Sequence, residues 1–319
     1  MRIAYLGSGD VGLPTLAALG GSPHQVVLVA TQPDRPAGRG LKVRPGPVKE
    51  WALAAGVPVI QPEDINTPES IEALRSSGAE VLLVIAFGQY LKKAVRECVP
   101  HGAINFHPSL LPRHRGAAPF QFTILSGDRD AGVTVIRLEK RMDAGAMLGR
   151  LATPVGPEET AGELHDRLAE MGAPLVLRVL DELAAGTAAD TAQDEAAATH
   201  TAKLTPESGR VDWSRPAAEL DCLIRGLSPR PGAVCRFEKS PGKTEAVKLL
   251  RSRLGSATAE GKPGGEVVGI DPAGITVAAG DGGTVILREL QPENSRVMSA
   301  SDFVNGRRLR VGMRFDNGA

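Results

Sequence analysis

The chain has 319 residues, with 37 basic and 37 acidic side chains and no formal net charge. That length exceeds what one hydrophobic core organises and calls for two domains. A hydrophobic content of 42% with 23% charged residues excludes a disordered chain, and no apolar run reaches the ~18 residues of a membrane span.

The first 150 residues alternate between two patterns. Strands are expected at 2–7, 25–31, 57–60, 80–87, 102–105 and 132–138, with helices near 13–20, 47–56, 67–77, 90–97 and 117–126. The opening residues enter the first strand with no signal-peptide pattern ahead of it. Val26-Val27-Leu28-Val29 and Val81-Leu82-Leu83-Val84-Ile85 are continuous apolar runs, as in strands buried on both faces of a parallel sheet. Thr67-Pro68-Glu69-Ser70 reads as a helix start, with threonine as N-cap and proline at the first helical position. The alternation predicts a doubly wound α/β sheet. A longer helix follows near 160–185, and residues 186–202, rich in Ala, Thr, Asp and Gly, read as a linker. Beyond it the pattern predicts a helix at 216–226, then short strands at 233–237, 246–250, 266–270, 274–278 and 284–290, which suit a small all-β barrel or sandwich.

The neutral total hides an asymmetry. Residues 1–202 carry 19 basic and 23 acidic side chains, and residues 203–319 carry 18 and 14. Within the acidic part, segment 33–49 sets Arg35, Arg39, Lys42, Arg44 and Lys49 against Asp34 alone. Such an island is either a polyanion contact or a solvated basic surface. With only 11 aromatic residues in the chain, stacking of bases on a sheet is not expected. The three cysteines, Cys98, Cys222 and Cys235, are too few and too scattered for a disulfide framework or a cysteine-based zinc site and fit a reducing cytoplasm.

Two segments carry chemistry. Gly7-Ser8-Gly9-Asp10-Val11-Gly12 follows the first strand and matches the three-glycine pattern of a dinucleotide turn. The acid that should close the second strand is replaced by Thr31-Gln32-Pro33, so a tight β/α turn is the better reading. The denser segment is Asn105-Phe106-His107-Pro108-Ser109-Leu110-Leu111-Pro112-Arg113-His114-Arg115-Gly116, at the end of the fifth strand, where open α/β sheets place ligands. Asn105 and His107, two apart in extended chain, point to one side, and Pro108 keeps His107 extended. Asp143, after the next strand, adds a carboxylate. An amide to stabilise an oxyanion, an imidazole to move a proton and a carboxylate to orient or charge-tune it suit addition of an amine to a carbonyl. The other histidines have no partner at metal-ligand spacing.

These blocks, together with Thr31-Gln32-Pro33-Asp34-Arg35-Pro36-Ala37-Gly38-Arg39-Gly40, Met142-Asp143-Ala144-Gly145, Lys203-Leu204-Thr205 and Gly209-Arg210-Val211-Asp212-Trp213, resemble the methionyl-tRNA formyltransferase family over nearly the whole chain. The resemblance implies a Rossmann-like α/β formyltransferase domain (1–188), a linker (189–204) and a C-terminal OB-like β-barrel that binds tRNA (205–319). It implies a cytoplasmic monomer that uses 10-formyltetrahydrofolate and no metal to formylate methionyl-initiator tRNA. It assigns catalysis to Asn105, His107 and Asp143, folate contact to Ser109, Leu110, Leu111 and Pro112, and tRNA contact to Arg35, Arg39, Lys42 and Arg44. Three positions depart from the family pattern: Gly7-Ser8-Gly9 stands for the usual Gly-Thr-Pro, Ala146 for a second acid, and Ser228-Pro229-Arg230-Pro231 for a Pro-Trp-Pro element. A sugar-nucleotide formyltransferase, which shares the Asn-His-Asp blocks, and a nicotinamide-dependent dehydrogenase built on Gly7–Gly12 are the alternatives.

Overall fold

The computed structural model of the protein describes residues 1–37, 42–240 and 242–318 and divides into two compact units. The first comprises Met1–Gly116, Gly132–Thr153 and His165–His200; the second comprises Ala117–Ala131, Pro154–Leu164 and Thr201–Ala319.

In the first unit a seven-stranded sheet holds β1 (Arg2–Gly7), β2 (Gln25–Ala30), β3 (Val59–Ile60), β4 (Val81–Ile85), β5 (Ala103–His107), β6 (Asp130–Arg137) and β7 (Met147–Pro154), in the spatial order β7-β6-β5-β4-β1-β2-β3. The first five strands run parallel. β4 is buried at every residue, as its unbroken apolar run requires. Helices α1 (Leu13–Gly20), α2 (Pro47–Ala54), α3 (Pro68–Ser76) and α4 (Lys93–Arg96) lie between these strands in the chain. The Oγ1 of Thr67 caps α3 by accepting from the Ser70 N–H at 3.2 Å, with Pro68 at the helix start.

Two features differ from the expected sheet. β6 pairs antiparallel with β5, so its C-terminal end does not lie beside that of β5. The helix between them, α5 (Pro119–Leu125), belongs to the second unit and so does not make the crossover that a parallel pair needs. β7 was not expected; its alternating exposure marks an edge strand with too few apolar residues to read as a core run.

The glycine-rich turn has a packing explanation. Gly7 and Gly12 both lie against Tyr5: a Cβ on Gly12 would sit 1.8 Å from the Tyr5 hydroxyl, and one on Gly7 would sit 2.7 Å from its ring. The spacing that imitates a dinucleotide motif makes room for a buried phenol. Among the described residues that hydroxyl has no hydrogen-bond partner.

The second unit begins with α5 and the first turn of α6 (Ala161–Ala184) and continues through α7 (Ala217–Gly226). Its antiparallel sheet comprises β8 (Ala233–Ser240), β9 (Lys243–Leu254), β10 (Val267–Asp271), β11 (Gly274–Ala278), β12 (Thr284–Pro292), β13 (Met298–Ser299) and β14 (Phe315–Asp316). The order is β10-β11-β12-β9-β8-β14, with β13 on β12. Val267 N–H donates to the Met313 carbonyl at 2.8 Å and Phe315 N–H to that of Gly265 at 2.9 Å, so the two ends of the curled sheet are bridged beside β10 and β14 and it forms an OB-like half-barrel. Leu220, Leu223 and Ile224 of α7 enter its core, as their spacing predicts, beside Trp213, Phe237 and Phe315. The last helix, α8 (Ala300–Arg307), was not expected. It contributes Phe303, edge-on to Phe237 with 5.4 Å between ring centres. Ser299-Ala300-Ser301-Asp302 is the capping signal that announces it, and the Ser299 hydroxyl accepts from the Asp302 N–H at 3.1 Å.

If the turn glycines serve Tyr5, Gly12→Ala will destabilise the protein by about 1–3 kcal/mol through overpacking. Tyr5→Phe, which removes the unpartnered hydroxyl, will restore most of that loss. Urea unfolding of the two single variants and the double variant checks this, and strictly additive effects would refute the packing explanation.

Candidate active site

Asn105 and His107 are the third and last residues of β5, on one face of the strand. His107 is 4% exposed. Its Nε2 lies 3.0 Å from the backbone carbonyl of His114. A carbonyl only accepts, so this contact places the proton on Nε2 and leaves Nδ1 as the basic nitrogen of the neutral ring. Nδ1 faces the Asp143 carboxylate at 3.7 Å. That distance is beyond a hydrogen bond, so the ring is oriented by the His114 carbonyl and Asp143 acts on it through charge. Burial holds the His107 pKa below its ordinary value; the Asp143 charge and the bond to His114 pull it upward, and the nearby His114 ring pushes it down.

Asn105 is half-buried, and among the described residues its side-chain amide makes no hydrogen bond. An amide held at a strand end with both its donor and its acceptor uncommitted is suited to receive a ligand atom.

Asp143 reaches His107 by an unexpected route. It stands in the connection between β6 and β7, where Arg137 N–H donates to the Ala146 carbonyl at 2.9 Å. Asp143 has φ 51°, a left-handed conformation that aspartate tolerates better than most residues. Gly145 lets the turn close, since a Cβ there would come within 1.8 Å of the Arg137 carbonyl oxygen. The carboxylate accepts from the Gly116 N–H at 2.9 Å.

The segment Ser109–Pro112 is a braced turn. The Ser109 hydroxyl donates to the Arg113 carbonyl at 2.7 Å. Thr134, opposite His107 on β6, donates to the Ser109 carbonyl at 2.7 Å and accepts from the Leu111 N–H at 3.2 Å. Ser109 and Leu111 are fully buried, whereas Leu110 and Pro112 are only half-buried. The first pair shapes the turn; the second can present surface to a ligand.

The stretch expected as a linker is built into this unit. Thr191 bridges to Met147, and Asp190 receives both carboxylate contacts from Arg137 Nε, at 2.7 and 2.9 Å. Gln193 Nε2 donates to the carbonyls of Asp143 and Gly145, each at 2.8 Å. Its Oε1 accepts from the Arg115 guanidinium at 2.8 and 3.1 Å. Glu195 pairs with Arg115 at 2.9 Å and with Arg141, and these two guanidinium groups pull its carboxyl down to about 2. Low hydrophobicity made 190–195 look like a tether; its polar side chains are what fasten it. The signal available in the sequence was the acid pattern Asp190, Asp194 and Glu195 in a chain whose arginines cluster at 113–115 and 137–141.

At the carboxyl ends of β1 and β2 the Ser8 hydroxyl accepts from Gln32 N–H at 2.9 Å and from the Thr31 hydroxyl at 3.1 Å. The base of the basic segment is fastened by Lys49, which donates to Asp34 and to Gln61 Oε1, while Gln61 Nε2 donates to Asp34 at 2.9 Å. The lysine bond holds the Asp34 carboxyl below its usual range. Arg35 is exposed, 3.5 Å from Glu63, and Arg44 is exposed. Lys42 belongs to a short ladder with Ala37; Arg39 lies outside the described residues.

Known proteins resemble the chain over both of its halves. A formyl transferase family model matches residues 1–180, and a formyl transferase C-terminal domain model matches residues 203–308. A methionyl-tRNA formyltransferase of Pseudomonas fluorescens is 43% identical over 98% of this chain and 95% of its own. One from Methylobacterium is 43% identical over 98% of this chain and 99% of its own. Among solved structures, WlaRD, a sugar 3N-formyl transferase determined in the presence of dTDP and 5-N-formyl-THF, shares the fold with a TM-score of 0.66 at 16% identity, over 93% of this chain and 99% of its own. With both domain models matched in order and relatives aligned over almost the entire chain, the protein belongs to the methionyl-tRNA formyltransferase family.

Proposed function

We propose that the protein transfers the formyl group of 10-formyltetrahydrofolate to the free amino group of methionyl-initiator tRNA, for translation initiation. The observation that carries this reading to particular residues is the His107–Asp143 pair on the strand that also presents the uncommitted amide of Asn105. The near full-length likeness to methionyl-tRNA formyltransferases selects tRNA over an amino-sugar nucleotide as acceptor. Tyr5 accounts for the turn glycines on which a nicotinamide reading rested.

The co-substrate supplies a formyl carbon as electrophile. Asn105 donates to the formyl oxygen as it gains negative charge, an effect worth ~3 kcal/mol in comparable oxyanion sites. His107 takes a proton from the attacking amine at Nδ1 while Nε2–H stays on the His114 carbonyl, and returns it to the departing nitrogen of the folate. Asp143 stabilises the imidazolium that forms between these steps. Leu110 and Pro112 offer the folate an apolar surface on the braced turn, with Ser109 and Leu111 supporting it from beneath. In the same proposal residues 1–188 perform the chemistry, 189–204 connect while buttressing the site, and 205–319, with Arg35, Arg39, Lys42 and Arg44 of the basic segment, hold the tRNA. The proposal places a monomer in the cytoplasm, supported by three free cysteines whose thiols burial pushes up, away from reactivity. Among the described residues no helix is long and apolar enough to cross a membrane.

Asn105→Ala will lower kcat for formyl transfer by about 100- to 1,000-fold with folate binding retained. Near wild-type turnover with purified substrates would remove Asn105 from the mechanism. The pH dependence follows from the sign of the His107 shift. The ring works as a base when neutral, and burial keeps it neutral to a lower pH than usual, so kcat will stay level through neutrality and fall only below about 6.5. Asp143→Asn removes the charge that pulls the pKa upward, so the acid limb of the profile will move lower still as kcat drops. An upward move would contradict the assignment. Replacing Arg35 and Arg44 together by Ala will raise KM for tRNA and flatten its salt dependence, leaving KM for the folate unchanged. Identical salt slopes for variant and parent would take the basic segment out of tRNA recognition.

A further inference from the structure

Asp143 is held by two grips that share one anchor. Its carboxylate receives the Gly116 N–H, and its backbone carbonyl receives Gln193 Nε2, which also reaches the carbonyl of Gly145. The amide of Gln193 therefore spans the Asp143-Ala144-Gly145 turn with two donors. Its orientation is fixed by its neighbours, because two carbonyls can only accept and the Arg115 guanidinium can only donate. Arg115 is covalently next to Gly116, so the guanidinium that anchors Gln193 and the N–H that receives the carboxylate belong to adjacent residues. Thr191 and Asp190 on one side and Glu195 on the other fasten the segment to Met147, Arg137, Arg115 and Arg141.

We infer that Gln193 is a positioning residue for formyl transfer: by clamping the left-handed turn at Asp143 it sets the carboxylate opposite Nδ1 of His107. The inference rests on the function proposed above. Glutamate could not replace it, since a carboxylate has the same reach and still pairs with Arg115 but cannot donate to two carbonyls. The groups facing His107 are the Asp143 carboxylate and the His114 ring. Behind Asp143 the guanidiniums of Arg115 and Arg141 are both paired with Glu195. Of the two groups facing His107, Asp143 is the one bonded to Gln193, and Arg115, the other charge Gln193 touches, keeps its pairing with Glu195, so loosening the clamp has a signature at His107.

The test uses the full-length enzyme with 10-formyltetrahydrofolate and methionyl-tRNA, comparing Gln193→Ala, Gln193→Glu, Asp143→Asn and the pair Gln193→Glu with Asp143→Asn. Each Gln193 variant is expected to lower kcat by about 10- to 100-fold, as misplacement of a catalytic group does, with KM for either substrate changed by less than about 2-fold. For Gln193→Ala, which adds no charge, the acid limb of the kcat–pH profile should move to lower pH, in the direction of Asp143→Asn. In the Asp143→Asn background, Gln193→Glu should cost almost nothing further, because its effect passes through the lost carboxylate. Retained kcat, a change confined to KM, an unmoved acid limb or fully additive losses would each overturn the inference. If Gln193→Ala melts early, Gln193→Glu, which keeps its size and arginine partner, decides the matter. Asn105→Ala and His107→Ala run alongside: if they retain transfer, the reading of the site fails, whereas if they lose it and the Gln193 variants do not, only the role of Gln193 falls.

Discussion

One nitrogen of the His107 imidazole is tied to a backbone carbonyl, and the chemistry open to the site follows from which nitrogen that is. With Nε2–H on the His114 carbonyl, the ring cannot rotate without leaving a buried donor unsatisfied, a loss of about 1–3 kcal/mol. Nδ1 is therefore the basic position, and only a group placed opposite it can influence its charge. His114 presents its carbonyl from a left-handed residue, φ 61°, with its own N–H fixed on the Thr199 hydroxyl at 2.8 Å. The two left-handed residues, His114 and Asp143, thus stand on the two sides of the same ring. Each is held by side chains from 190–200, one by Thr199 and the other by Gln193. A stretch of low hydrophobicity with no core residues thus holds the residues on both sides of a buried imidazole.

Much of the frame was legible because it rests on local signals. The unbroken apolar run at 81–85 could only be an interior strand, and the cap at Thr67 and the apolar spacing of 220–224 are read from neighbours in sequence. Asn105 and His107 were legible for the same reason: a strand end, a two-residue spacing and a following proline fix their common face. Asp143 was visible as an acid at a turn, but not the path that brings it back, since β6 runs antiparallel and the return is made by the connection to β7. From the sequence it could orient or charge-tune the imidazole; the 3.7 Å separation favours the second and leaves orientation to a backbone carbonyl. Backbone acceptors carry no sequence signature. The same is true of Gln193, whose role consists of two bonds to carbonyls 48 and 50 residues away.

The glycine-rich turn shows the opposite limit, a pattern that is legible and misleading. Three glycines after a first strand answer to two physical requirements, close approach of a phosphate or close approach of the protein's own side chains. Here Tyr5 fills the space beneath Gly7 and Gly12, and the hydroxyl group of Ser8 satisfies the end of β2. What separates the two cases is the residue two positions before the first glycine, which a motif scan does not weigh.

The distribution of charge around the site follows the same division. Segment 190–195 carries Asp190, Asp194 and Glu195; Asp190 pairs with Arg137, and Glu195 is shared by Arg115 and Arg141. The arginines nearest the candidate reaction centre are thereby committed within the protein and offer little to a phosphate. In the basic segment Lys49 is likewise spent on Asp34, and that pair is neutral. The remaining excess of positive charge there rests on Arg35, Arg39, Lys42 and Arg44. A polyanion is attracted to a local excess of positive charge, so under the proposed function the phosphates of a tRNA would find their counter-charge in the first unit in this segment and not beside His107. That separation suits the proposed chemistry, in which an amine reaches Nδ1 of a neutral imidazole: a guanidinium left unpaired beside that ring would lower its basicity further. The zero net charge of the chain thus hides two different local balances: arginines near His107 that are paired with acids of 190–195, and a segment at 33–49 whose sequence holds five basic residues against one acid.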